Sequence, residues 1–177
     1  MNNAIELSEV DNGASQKWNY PVESTELEPV IEFYNKYFAN YLKTTGTKIE
    51  NVQTYDNEGN PYANYDAFVV FFADGSAFTI SSGGRDFTFY PYASKITLQQ
   101  TSGSYTSKYK FAFCLNKEGS PSKSKGLIMP YDFEWDGTYD GLRNAVRYGC
   151  RQGSPTNNYC AKIIQLNGWK IPNNYPW

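Results

Sequence analysis

Residues 66–81 read DAFVVFFADGSAFTIS, and the way this stretch folds back on itself decides the fold. Two apolar runs flank Asp74-Gly75. Both turn positions tolerate positive φ, which the tight turns of antiparallel hairpins require, so the stretch reads as a β-hairpin. Downstream, DFTFYPY (86–92), SKITLQQ (94–100) and KYKFAFCL (108–115) read as further short strands between Gly, Ser and Asn clusters. KYKFAF alternates too weakly to fix its register. SPSKSKG (120–126) reads as a solvated loop.

Upstream the period changes. TELEPVIEFYNKYFANYLKTTG (25–46) places Val30, Phe33, Tyr34, Tyr37 and Tyr41 at helical spacing, with Ile31, Phe38 and Leu42 widening the stripe. Thr25 and Glu28 match a capping box, Pro29 suits a first turn and Gly46 a stop, which predicts a helix of about five turns over 25–45. Residues 1–24 read as an irregular lead-in. Beyond Tyr131 the chain is less regular: YDFEWDG, a short helix in TYDGLRNAVRYG (138–149), a Cys-bounded loop, then AKIIQL as a helical turn or a last strand. NGW reads as a turn and KIPNNYPW as an extended tail. The expected architecture is α+β: one domain over residues 1–177, with an N-terminal helix on an antiparallel sheet, closed by a stapled C-terminal region.

Composition narrows the function. With 16 basic and 18 acidic residues the formal net charge is -2, leaving no basic excess to neutralise phosphates, so a nucleic-acid partner is not expected. His is absent, which removes the commonest general base and zinc ligand together and lowers the expectation of an enzyme. Aromatic residues make up 18% of the chain, with 16 Tyr, a composition that suits a half-wet sheet or a contact surface.

Three cysteines are present, Cys114, Cys150 and Cys160. The C-x9-C spacing around GSPTNN suits a Cys150–Cys160 disulfide better than a metal knuckle, while Cys114 reads as a small buried residue that remains open to pairing with either. A disulfide implies an oxidising compartment, hence export. No signal peptide or membrane span is visible, the longest apolar run being FVVFFA (68–73). Either a leader and anchor precede Met1 or the disulfide reading fails.

Three motifs carry possible chemistry. Asp132, Glu134, Asp136 and Asp140 stand at positions 1, 3, 5 and 9 of a calcium-loop pattern with Gly137 at position 6. Arg143 occupies the twelfth position, where a bidentate Glu is needed, so the competing reading is an acidic turn with an Asp or Thr capping the next helix. Ser120-x-x-Lys123 and Ser122-x-x-Lys125 match a serine–lysine pattern but lie in the polar loop, without the helix start that such chemistry needs. The Tyr-rich segments NPYANY (60–65) and SGSYTSKY (102–109) are candidate sugar-stacking platforms or ordinary sheet surface, and the four tryptophans read equally as core or binding residues.

The last forty residues, WDGTYDGLRNAVRYGC (135–150) and YCAKIIQLNGWKIPNNYPW (159–177), resemble the C-terminal signature of type IV pilin-like or pseudopilin (prepilin-type) proteins of gut bacteria. The resemblance rests on Trp135, Gly137, Leu142, Cys150, Cys160, Ile164, Gln165, Gly168, Trp169, Lys170, Ile171 and the closing Tyr175-Pro176-Trp177, with the hairpin FVVFFADGSAFTI as a looser match. It implies a non-catalytic head domain at the cell surface, in a pilus, an adhesive filament or a type II secretion pseudopilus. Its partners would be other pilin subunits, with a surface glycan or host ligand possible, and the membrane would be reached only through an N-terminal helix upstream of Met1. No cofactor is implied beyond calcium, which pilin-like heads sometimes bind through C-terminal loops. Trp169 and the YPW tail are expected to lock the stapled region onto the sheet. The alternative is a secreted glycan-binding module with Tyr and Trp platforms.

Overall fold

The computed structural model describes residues 1–22, 26–55, 61–81, 83–96, 106–118, 127–154 and 156–177. Its centre is a six-stranded antiparallel sheet in the order β1-β2-β3-β4-β5-β6, each strand lying beside its sequence neighbour. The strands are β1 (Gly46–Tyr55), β2 (Pro61–Phe71), β3 (Ala77–Ile80), β4 (Asp86–Tyr90), β5 (Phe111–Leu115) and β6 (Ile128–Pro130). The expected hairpin is present: β2 pairs β3 with Phe71 opposite Ala77 and Val69 opposite Thr79. Gly75 takes φ 84 in its turn, and Asp74 Oδ1 accepts from the Ser76 N–H (2.9 Å) and hydroxyl (2.7 Å). The carboxylate thus pins the turn that the glycine permits.

The helices are α1 (Asn2–Asn12), α2 (Glu28–Tyr37), the single turn α3 (Thr106–Tyr109), α4 (Tyr139–Asn144) and α5 (Cys160–Leu166). Alternation along the strands sorts the core onto two faces. On one face Phe68, Val70, Phe78, Ile80, Phe87 and Leu115 meet Val30, Phe33, Tyr34, Tyr37 and Phe38 from α2 and the turn after it, together with Ile5 of α1 and Trp18. Trp18 stacks on Tyr37 with ring centres 4.3 Å apart and stands edge-on to Phe38. On the other face a small cluster of Val52, Val69, Ala77, Tyr90 and Ile96 fills one part, and the C-terminal region forms a third cluster with Ala112 of β5 packed against it.

Several expectations are corrected. The lead-in is not irregular, because residues 2–12 form α1. It buries only Ala4, Ile5 and Ser8. A serine in the interior position and Leu7 and Val10 facing outward erase the apolar period that would have marked it. α2 is ten residues long rather than five turns. Phe38 leaves helical geometry at φ -128, and Tyr41 and Leu42 donate back to its carbonyl in a closing turn. Tyr41 does not join the core; its hydroxyl donates to Asp11 Oδ2 at 2.8 Å, tying the turn to α1. Thr25 of the expected capping box lies outside the described residues, and Leu27 occupies the N-cap.

Residues 61–65 of NPYANY run in β2, paired with β1, so this segment belongs to the sheet. In β1, Ile49 is half exposed and Val52 fully buried, so its apolar residues sit on opposite faces and give no period of two. In SKITLQQ, Ala93–Lys95 form a 3-10 turn and not a strand, and residues 97–100 lie outside the described residues. Also outside them are residues 102–105 of SGSYTSKY and the loop 120–126 with its Ser–Lys pairs. Among the described residues no helix is long and apolar enough to cross a membrane.

Candidate functional site

The C-terminal region is organised around the disulfide. Cys150 and Cys160 are bonded, with Cα atoms 4.8 Å apart, and both are buried. The bridge joins the end of the segment after α4 to the first residue of α5. Asn157, at φ 56, shapes the loop between them: its Oδ1 accepts from the Arg151 N–H at 3.0 Å and its Nδ2 donates to the Ser154 carbonyl. Under the staple, the rings of Tyr131, Tyr148 and Tyr159 pack with centres 5.3 to 6.4 Å apart. The Tyr159 hydroxyl donates to the Phe133 carbonyl. Replacing both cysteines by alanine is expected to cost about 2–3 kcal/mol from the released loop entropy, a loss that thermal melting under oxidising conditions would register.

Burial raises the phenol pKa of Tyr131, Tyr90 and Tyr175 above the ordinary 10.0, and that of Tyr159 to about 12, where the charge of Glu134 adds to burial. A raised folded pKa means stability that is complete below pH 10 and is lost as pH rises toward the folded values. The protein should therefore melt at falling temperatures above about pH 10, with these tyrosines releasing their protons together at unfolding. Independent ionisation of every tyrosine near its ordinary value, at unchanged stability, would contradict the burial.

Beneath the same cluster lies an ion pair that the sequence did not announce. Asp132, fully buried, faces Lys162 of α5, whose side chain is 6% exposed, at 3.5 Å. The ammonium also stands 5.2 Å from the centre of the Trp135 ring. A lysine between Cys160-Ala161 and Ile163-Ile164 was the available signal, since a cation within an apolar run needs a partner. Cys114 carries a free, buried thiol nearby, its pKa pushed up to about 12 by burial and then by the charges of Asp132 and Asp86. Such a thiol is a poor nucleophile.

The four calcium-pattern carboxylates have separate employments. Asp132 takes Lys162. Asp136 Oδ1 accepts from the Thr138 N–H and hydroxyl, both at 2.8 Å, and Asp140 Oδ1 accepts from Asn144 Nδ2 at 2.7 Å. Glu134 is exposed, at φ 60. The Thr138 hydroxyl accepts from the Gly141 N–H at 2.9 Å, so Thr138 caps α4 as the competing reading had it. A Cβ at Gly141 would overlap the Asp136 carboxylate, which leaves that group packed into the cap. Among the described residues no group of three or more Cys, Asp or Glu is placed to hold a metal ion.

Most large aromatic residues serve the core. Tyr65, Tyr92 and Tyr139 are exposed but belong to β2, the turn after β4 and α4, respectively. The tail divides in two. Tyr175 and Trp177 pack together on the C-terminal cluster, whereas Trp169, expected to lock that region down, is 59% exposed.

What Trp169 does meet is a groove of about 570 Å³ on the face of the sheet that carries α1 and α2. Its floor is made by Phe78, Phe87, Phe89 and Phe113, with Phe72 and Ile128 beside them. Register brings these rings together, because Phe78 lies opposite Phe89 and Phe87 opposite Phe113. Asp74 and Ser76 of the hairpin turn stand at one side, Gln165 and Trp169 at another. This is an apolar receptacle with few polar groups, chemically suited to hold hydrocarbon or aromatic side chains rather than to move protons.

Residues 1–177 match a protein family of unknown function, DUF6613. The chain belongs to DUF6613. No curated protein and no solved structure matches it. Membership in DUF6613 assigns no activity to the groove or to the stapled region, so their roles rest on their chemistry.

Proposed function

We propose that this chain is a non-catalytic structural subunit, a pilin-like head outside the cell, which engages neighbouring subunits of a filament or secretion assembly. The observation that carries the reading is the groove floored by phenylalanines. An open apolar receptacle on a sheet face is covered at the expense of water when a polypeptide lays side chains into it. Sugar recognition would ask for polar groups converging around an amphipathic ring, whereas here Asn2, Asp74, Ser76 and Gln165 are the polar members of a lining dominated by phenylalanine rings. The disulfide suits an oxidising exterior. Three groups with chemical potential, Cys114, Asp132 and Asp136, are buried, paired or built into a cap, which favours support over catalysis at those positions.

A photo-reactive phenylalanine analogue at Phe89, introduced in cells that export the protein, tests the reading. Illumination is expected to give covalent adducts of defined mass containing a second polypeptide, outside the cell. Adducts with carbohydrate alone would support the glycan-binding module instead, and recovery of the monomer alone would sink the subunit reading.

A further inference from the structure

The apolar surface continues past the rim of the groove. Leu166, Trp169 and Ile171 are 53%, 59% and 65% exposed, a cluster of large apolar side chains at the end of α5 and the turn that follows. Trp169 is held in the left-handed region at φ 62, its N–H donating to the Ile164 carbonyl at 2.9 Å. That conformation disfavours a bulky side chain, and here it presents the indole to the groove and to solvent instead of to the core. Lys170 is exposed between Trp169 and Ile171. Across the groove, Asp74 carries the one charged side chain among the lining residues. The hydrogen bonds from the Ser76 hydroxyl and N–H hold its carboxyl below the usual range, so it stays ionised at neutral pH.

The surface therefore contains an acceptor, apolar with a single negative charge, and beside it a donor, apolar with a single positive charge. We infer that the groove is filled by a second copy of this chain, whose Trp169–Lys170–Ile171 turn enters it with Lys170 set against Asp74. This deepens the subunit reading and rests on it. Because Trp169 belongs to both donor and acceptor, one continuous patch serves both roles. A self-complementary patch of this kind closes through a two-fold axis, so this contact joins subunits in pairs, and other faces of the pair are left to extend an assembly. Opposite charges at its edge fix the register, while the inserted apolar side chains hold it.

Sedimentation of the exported protein over a wide concentration range tests this. A monomer–dimer equilibrium is expected. Ile171→Asp should weaken it by roughly thirtyfold, the scale of losing a central anchor. Lys170→Glu should weaken it several-fold, with part of the loss restored by adding Asp74→Asn, which removes the new repulsion while keeping an acceptor for Ser76. These side chains are exposed, so at concentrations where the wild type is monomeric the melting temperatures should stay at its value and exclude misfolding as the cause. A monomer at every concentration overturns the inference, and so does a dimer indifferent to Ile171→Asp. In either case polypeptide adducts trapped at Phe89 in cells would leave the subunit reading standing with another partner, whereas their absence as well would remove both.

Discussion

Asp132→Ala is expected to destabilise the protein by about 3–5 kcal/mol, enough to unfold much of the population of a marginally stable domain. The substitution leaves the Lys162 side chain, 6% exposed, with its carboxylate partner at 3.5 Å removed. A buried charge that loses its opposite charge recovers much less of its desolvation penalty, and the Trp135 ring 5.2 Å away offsets only a fraction of it. The reverse truncation, Lys162→Met, removes the ammonium opposite a fully buried carboxylate and should cost a similar amount. The informative variant is the double one. Asp132→Asn with Lys162→Met removes both charges while keeping volume, and it is expected to recover most of the loss. Urea unfolding of the wild type, Asp132→Asn, Lys162→Met and the double variant closes the cycle, and additive losses would mean that the two groups do not act as a pair.

Phe38→Ala is expected to cost about 3–5 kcal/mol through a cavity at the centre of the helical side of the core. Phe38 is fully buried, at the point where α2 ends, with its ring 5.7 Å from both Trp18 and Phe87 and 5.9 Å from Phe33. It joins three elements: the segment after α1, α2 itself and β4. Its loss should therefore loosen the N-terminal layer from the sheet as a unit. Hydrogen exchange would show α1 and α2 losing protection together, and a loss confined to residues next to Phe38 would contradict this coupling. Phe72, at the groove, makes a useful contrast. It is only partly buried, so Phe72→Ala should cost well under half as much.

The sequence carried local features and lost those that depend on long-range register. Asp74-Gly75 between apolar runs announced the hairpin because a turn needs only its own residues. Val30, Phe33, Tyr34 and Tyr37 announced α2 because a dry helical face repeats within a few positions. The C-x9-C spacing led to the Cys150–Cys160 bridge for the same reason. By contrast α1 hides its buried side behind Ala4 and Ser8, and β1 puts Ile49 and Val52 on opposite faces, so neither shows the period on which such readings depend. The groove was invisible for a different reason. Its phenylalanines come from separate strands, and only the pairings Phe78 with Phe89 and Phe87 with Phe113 align them. Trp169 was misjudged because composition marks tryptophan as an anchor, while the backbone of the Gly168-Trp169 turn, at φ 66 and 62, turns it outward.

Because each strand of the sheet lies beside its neighbour in sequence, the meander can assemble one hairpin at a time as the chain emerges N-terminus first. The N-terminal helix cannot finish on that schedule. Asn2 Oδ1 accepts from the Ile128 N–H at 3.1 Å, a bond that spans 126 residues and ties the first turn of α1 to the last strand. α1 precedes the whole sheet in the chain, and it waits for β6 before this bond can close. Stalling synthesis shortly before residue 128 should leave a formed hairpin and an α1 still open to proteolysis. The helix at residues 2–12 is thus made before the sheet, yet this tie to the sheet forms only after β6 is in place.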